Sequence, residues 1–204
     1  FAIGHLGGHN GRSLRIGDLL PLAPAIEEEL PLLKSPIPSL SIPENREWVV
    51  GAIPGPHGSP TYFTQDGLQE LFNGEWTVHY NTNRLGVRLT GPRPEWARQT
   101  GGDAGLHPSN IHDSPYSIGN VSFTGDEAVV LTADGPSLGG FVAFATVAEA
   151  EMWKFGQMRP GDRLRLHPIS LDDARALAKA LEHSIATLNP LTSGDMRQTS
   201  SVAV

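Results

Sequence analysis

The 204-residue chain contains no cysteine, which excludes disulfides, thiolate metal sites and thiol catalysis. Positive charge is scarce. Fifteen Lys and Arg against 22 Asp and Glu leave a formal charge of −7, whereas a nucleic-acid binder normally carries a basic patch or stripe. No apolar run approaches the roughly 20 residues of a membrane-spanning helix, and no basic-then-apolar leader opens the sequence. The expectation is a cytoplasmic protein with neither nucleic acid nor membrane as partner. The fingerprints of several chemistries are absent too. There is no GxxxxGK[ST], no GxGxxG between strand and helix, no GxSxG around a serine, and no internal repeat.

What is present points to a globular, mainly β protein. Hydrophobic residues make up 39% and charged residues 18%, in a chain long enough to bury a sizeable core. The 23 Gly and 17 Pro punctuate short apolar runs, the pattern of strands joined by many turns. Strands are expected at 47–53, 75–80, 86–90, 119–123, 128–132, 141–146 and 162–167. Val87 and Leu89 alternate with Arg88, and Leu164 and Leu166 with Arg163 and Arg165, so these strands have one buried face. The runs AVVLT and FVAF suit strands buried on both sides.

Helices are expected at 64–73, at 146–155 behind a Thr146/Glu149 capping box, and from Ser170 with Asp173 three residues on. The last helix carries Ala174, Leu177, Ala178, Leu181, Ile185 and Leu188 on one stripe that must dock on something. Residues 21–44 hold six prolines and read as an extended connector. The opening FAIGHLGGHNGR reads as the middle of a domain, so an N-terminal part of that domain is expected to be missing. The chain is expected to divide into a barrel over 1–170, a docking helix over 171–190 and a linker or tail over 191–204.

Three Gly-rich segments combine pliant backbone with polar side chains: Gly7–Arg12, Gly101–Asp113 and Asp134–Gly140. Glycine lets a ligand approach the backbone closely. In GLHPSNIHDSPYSIGN, Pro, Ser, Asn and Gly serve a turn. His107, His112, Asp113 and Tyr116 are more than a turn requires. Two readings stand level on residue chemistry alone: a decorated turn leading into a strand, or the hydrogen-bonding wall of a polar site. No metal is expected. Pro108 breaks the helical i, i+4 spacing that would make His107, His112 and Asp113 a ligand set, and Gly7 and Gly8 do the same for His5 and His9. The four Trp residues are read as core or barrel-end packing.

The ordered marks NRLGVRLTGP (Asn83–Pro92), HPSNI (His107–Ile111) and DGPSLGG (Asp134–Gly140) resemble those of the carboxyltransferase domain of urea carboxylase, within the allophanate hydrolase subunit 2 or KipA-like family. The resemblance runs over nearly all of residues 1–188. It implies a cyclophilin-like β-barrel with a few short helices and a C-terminal helix. It also implies carboxyl transfer from carboxybiotin to urea, giving allophanate. On that basis Asp113 and Asn110 would face urea, and His107 or His112 would handle the proton. Arg84 with the DGPSLGG backbone would meet the biotin ring. Asn83, Ser109, Tyr116, Asp134, Ser137, Gly139 and Gly140 would complete the substrate-binding set. No Met-Lys-Met acceptor occurs, so biotin would arrive on a separate carrier domain, with ATP used only at a distant biotin carboxylase domain. The missing segment or a KipI-like chain would be further partners. Two other readings accompany this one: a component of an ATP-dependent 5-oxoprolinase that works with a second chain on a cyclic lactam, and a non-catalytic KipA-like regulatory domain.

Overall fold

The computed structural model describes residues 4, 8–23 and 42–187. The chain falls into two compact units, Phe1–Lys34 with Pro190–Val204, and Ser35–Asn189. In the first, Asn10 and Gly11 both take positive φ (53° and 70°). The turn they make is closed by hydrogen bonds of 3.2 Å in both directions between His9 and Arg12. Arg12 then grips Asp18 through both terminal guanidinium nitrogens, at 2.8 and 2.6 Å.

The second unit is a closed barrel. Its strands are β1 (Glu47–Pro54), β2 (Trp76–Val78), β3 (Gly86–Thr90), β5 (Asn120–Thr124), β6 (Glu127–Leu131), β8 (Ala143–Val147) and β9 (Arg163–Pro168). Around the barrel the order is β1-β8-β5-β6-β3-β2-β9, and β9 closes the ring by lying parallel to β1. The remaining neighbours are antiparallel. Sequence alternation sets which residues point inward. Leu164 and Leu166 are buried while Arg163 and Arg165 are exposed. Phe63, Trp76, Phe123 and Phe144 fill the centre with ring centroids 5.3–6.5 Å apart. Each such fully buried side chain contributes roughly 1.5–3 kcal/mol relative to leaving it exposed. α1 (Gln65–Asn73) is capped by the Thr64 side chain, which accepts the Gly67 N–H. It adds Leu71 and Phe72 to the core.

Two polar devices hold the closure. Buried Asp162 accepts from Arg46 at 2.6 and 3.0 Å, from the Trp48 indole at 3.0 Å and from the Arg159 N–H at 3.0 Å. Burial pushes this carboxyl up, but these donors outweigh it and hold its pKa below the ordinary value. The second device serves β1, which pairs with β8 only from Ala52 onward. Upstream, Glu151 accepts the Gly51 N–H at 3.0 Å and Lys154 donates to the Val49 carbonyl at 2.7 Å. The two side chains pair with each other at 2.5 Å. They come from a 3₁₀ segment, Glu149–Gly156, which stands in for the missing strand partner.

The seven barrel strands lie near their expected places. Three expectations require correction. The run 141–146 is not one strand: it breaks at Val142 into β7 (Leu138–Phe141) and β8. There is no capping box at Thr146, which belongs to β8, and the 3₁₀ segment begins after Ala148 without a side-chain cap. AVVLT is not buried on both sides throughout, because Val129 is half-exposed. The last helix, α2 (Leu171–Ala186), has its Ser170/Asp173 capping box and lies beside the 3₁₀ segment and β1, with Ala174, Ala178 and Leu181 half-buried and Leu177 38% exposed. Leu188 and most of the expected connector fall outside the described residues. No helix among the described residues is long and apolar enough to cross a membrane.

Candidate functional site

Where the sequence reads as a loop, the structure has a strand, β4 (Asn110–Pro115), paired with β7 in a two-stranded ribbon outside the barrel sheet. Asn110 sits opposite Phe141 and Ser114 opposite Gly139, so Ile111, His112 and Asp113 all face the single residue Gly140. The chain bulges at His112 and Asp113. Bulges bend a strand and re-aim its side chains, and they concentrate beside active sites. Both residues are exposed.

The paired glycines explain why a ribbon can form here. A Cβ on Gly139 would lie 2.3 Å from the Tyr116 ring, so only glycine lets the tyrosine lie flat on this backbone. A Cβ on Gly140 would come within 3.0 Å of the Ile111 carbonyl and 4.0 Å of Asp113 Oδ1. The bare backbone therefore leaves a cradle beside the Asp113 carboxylate that a side chain would begin to fill. Tyr116 clasps the ribbon through its hydroxyl, which accepts the Phe141 N–H at 2.7 Å and donates to the Phe141 carbonyl at 3.1 Å. Burial pushes its phenol pKa up. The Tyr116 N–H donates to the Ser137 carbonyl at 2.8 Å.

The third motif reaches the same place from the other end of DGPSLGG. Arg84 forks onto Asp134 at 2.9 and 3.0 Å, and the Asp134 N–H donates to the Arg84 carbonyl. The Asn83 side chain accepts the Leu85 N–H at 2.8 Å and shapes the turn. Thus NRLG, HPSNIHD and DGPSLGG, distant in sequence, form one connected surface.

Inside that surface the expected residues divide. Ser109 has no solvent exposure. Its hydroxyl contacts His107 Nδ1 at 2.9 Å and accepts the Gly125 N–H at 3.2 Å. His107 also accepts the Ser109 N–H on Nδ1, and its Nε2 lies 3.6 Å from Asp126. Asp126 in turn accepts the Trp96 indole N–H. Ser109 and His107 thus brace the root of the ribbon. His112 and Asp113 have no partner among the described residues, so their polar atoms are available to a ligand. Arg84 is exposed, but its charge is matched by Asp134.

Sequence reasoning misses one cluster behind the ribbon. Arg98 donates to the Pro108 carbonyl through Nε and Nη2, and to the Asn110 carbonyl through Nη2 at 2.6 Å. Its guanidinium carbon lies 4.7 Å from the centre of the Tyr62 ring. His57 packs edge-on to the same ring at 4.9 Å and accepts the Ala143 N–H on Nδ1 at 2.9 Å. The signal is faint: a lone histidine in GPHGSP and one arginine in PEWARQ.

The assembly of these motifs on a barrel defines the class. Residues 1–168 match the family described as carboxyltransferase domain, subdomain A and B, and the chain belongs to that family. It is 50% identical over 194 residues to urea amidolyase from Saccharomyces cerevisiae, covering 93% of this chain and 10% of the relative. It is 49% identical over 199 residues to urea amidolyase from Lachancea kluyveri, covering 92% of this chain and 11% of the relative. The solved structure of Kluyveromyces lactis urea carboxylase superimposes with a TM-score of 0.78 at 45% identity, covering 95% of this chain and 18% of that one. The chain thus spans about a tenth of the length of its curated relatives.

Proposed function

We propose that this chain is the part of a biotin-dependent urea carboxylase that accepts the carboxyl group onto urea, forming allophanate. The observation that carries the reading is the bulge that turns His112 and Asp113 outward beside bare Gly140, in a chain 45–50% identical to urea amidolyases and a urea carboxylase.

Urea is small, planar and rich in N–H groups, and its nitrogens are weak nucleophiles. A site for it has to fix its orientation and take a proton as nitrogen attacks. The exposed Asp113 carboxylate is an acceptor for two such N–H groups, and the Asn110 amide can both accept and donate. His112, unpartnered on the same bulge, is placed to receive the proton. His107 is occupied by Ser109 and faces Asp126, so of the two histidines His112 is the better candidate. The cradle at Gly140 admits a planar ring or amide against the backbone, which fits a biotin ureido group brought by a carrier domain. When bound, that group supplies an activated carboxyl. Asp113 and Asn110 would hold the urea, and His112 would take the proton that the urea nitrogen gives up and hand it to the ring nitrogen left behind.

The test is turnover. Supplied with biotin carboxylase and carrier modules, ATP, bicarbonate and urea, the chain should yield allophanate. Asp113→Asn should lower the rate by about ten- to a hundredfold, the scale of hydrogen bonds to a charged group. Full activity in that variant would sink the assignment. Consumption of 5-oxoproline instead of urea would move the substrate to a cyclic lactam.

A further inference from the structure

Among the described arginines that are half-buried, Arg12, Arg46 and Arg88 each pair with a carboxylate. Arg98 is half-buried as well, but its contacts are the carbonyls of Pro108 and Asn110 and the face of Tyr62. Neutral acceptors position a guanidinium without cancelling its charge, and a partly desolvated cation without a counter-ion attracts one. One nitrogen, Nη1, has no protein partner among the described residues.

Two more unsatisfied polar tips lie against the same ring. The Tyr62 hydroxyl makes no hydrogen bond among the described residues, and Tyr62 itself is half-buried. His57 is half-buried too, and because Nδ1 accepts the Ala143 N–H, its proton belongs on Nε2, a donor with no acceptor among the described residues. Burial and the Arg98 charge hold this imidazole below its ordinary pKa, so near neutrality it is an uncharged donor. A clamp that merely fastened Pro108 and Asn110 would have no use for a free phenol and a free imidazole N–H beside it.

We propose that His57, Tyr62 and Arg98 form a subsite for a small carboxylate or carbamate, with the guanidinium supplying the charge and the phenol and imidazole supplying two further donors. Its role rests on the carboxyl-transfer reading: it would seat the carboxyl group in transit. Arg98 grips the Asn110 carbonyl, so the guanidinium is anchored on the same strand as Asp113, three residues or about 10 Å of backbone away.

The experiment titrates the chain with formate, and separately with neutral formamide, while following the His57 imidazole by NMR. Formate should shift the imidazole resonances saturably and raise its pKa, and formamide should not. Tyr62→Phe keeps the ring beneath Arg98 and should weaken formate binding about tenfold, the scale of one hydrogen bond to a charged group. Arg98→Met should abolish binding, and Asp113→Asn should leave it intact. Equal responses to formate and formamide, or undiminished formate affinity in Tyr62→Phe, would overturn the subsite. Formate binding without urea carboxylation would uphold the subsite and defeat the carboxyl-transfer reading; carboxylation without formate binding would do the reverse.

Discussion

Single residues here have roles that their chemical type alone would not announce. Gly139 is defined by what lies on it. Alanine at that position would drive a methyl group into the Tyr116 ring, and overpacking of this kind costs about 1–3 kcal/mol. Gly139→Ala should therefore lower the thermal midpoint, and combining it with Tyr116→Ala should cost less than the sum of the two single changes. A double-mutant cycle by calorimetry measures that coupling. Asp162 gives a prediction in pH. Its folded pKa lies below the unfolded one, so its stabilisation is present above pH about 4 and disappears as pH falls through the folded value. Asp162→Ala should cost roughly 3–5 kcal/mol near neutrality, because it leaves buried donors and the Arg46 charge unmatched. In denaturation at pH about 2–3 the gap between variant and parent should narrow.

At the scale of elements, the barrel strands are legible because the two-residue period is strong where one face is buried, as in Arg163–His167. The ribbon is not legible. HPSNIHDSP has no period, since a bulge suppresses alternation, and its partner LGG carries almost no side chains from which to read a strand. Thr146 and Glu149 have the spacing of a capping box, but pairing of Thr146 with Asn120 and Ile53 claims it for β8. Sequence gives no weight to such a competitor. The real capping box, Ser170 with Asp173, faces no rival, and Ser170→Ala should destabilise the start of α2 by about 1 kcal/mol, seen as faster amide exchange over its first turn. The substitute edge on β1 is testable as well. Glu151→Ala strands the buried Gly51 N–H and should cost about 1–3 kcal/mol by thermal denaturation, whereas an exposed ion pair would be worth less than about 1.

For the whole molecule, three motifs that look independent along the chain become one surface because the barrel brings Arg84 beside Asp134 and because the β7–β8 break turns Gly139 and Gly140 onto β4. Motif order carries the family, but motif chemistry alone does not separate braces from free groups. Ser109, His107 and Tyr116 look as eligible as Asp113 in sequence, and only their hydrogen bonds set them apart. The barrel also closes in a particular way. β1 is complete early, yet its parallel partner β9 begins 116 residues later, where Arg163 meets Glu47. At typical synthesis rates of 5–20 residues per second, Trp48 and Val50 wait roughly 6–23 s for Leu164 and Leu166 to emerge. During translation β1 has no sheet neighbour until β8 emerges, and the ring stays open until β9 follows, the stage at which chaperones and misfolding compete for the chain.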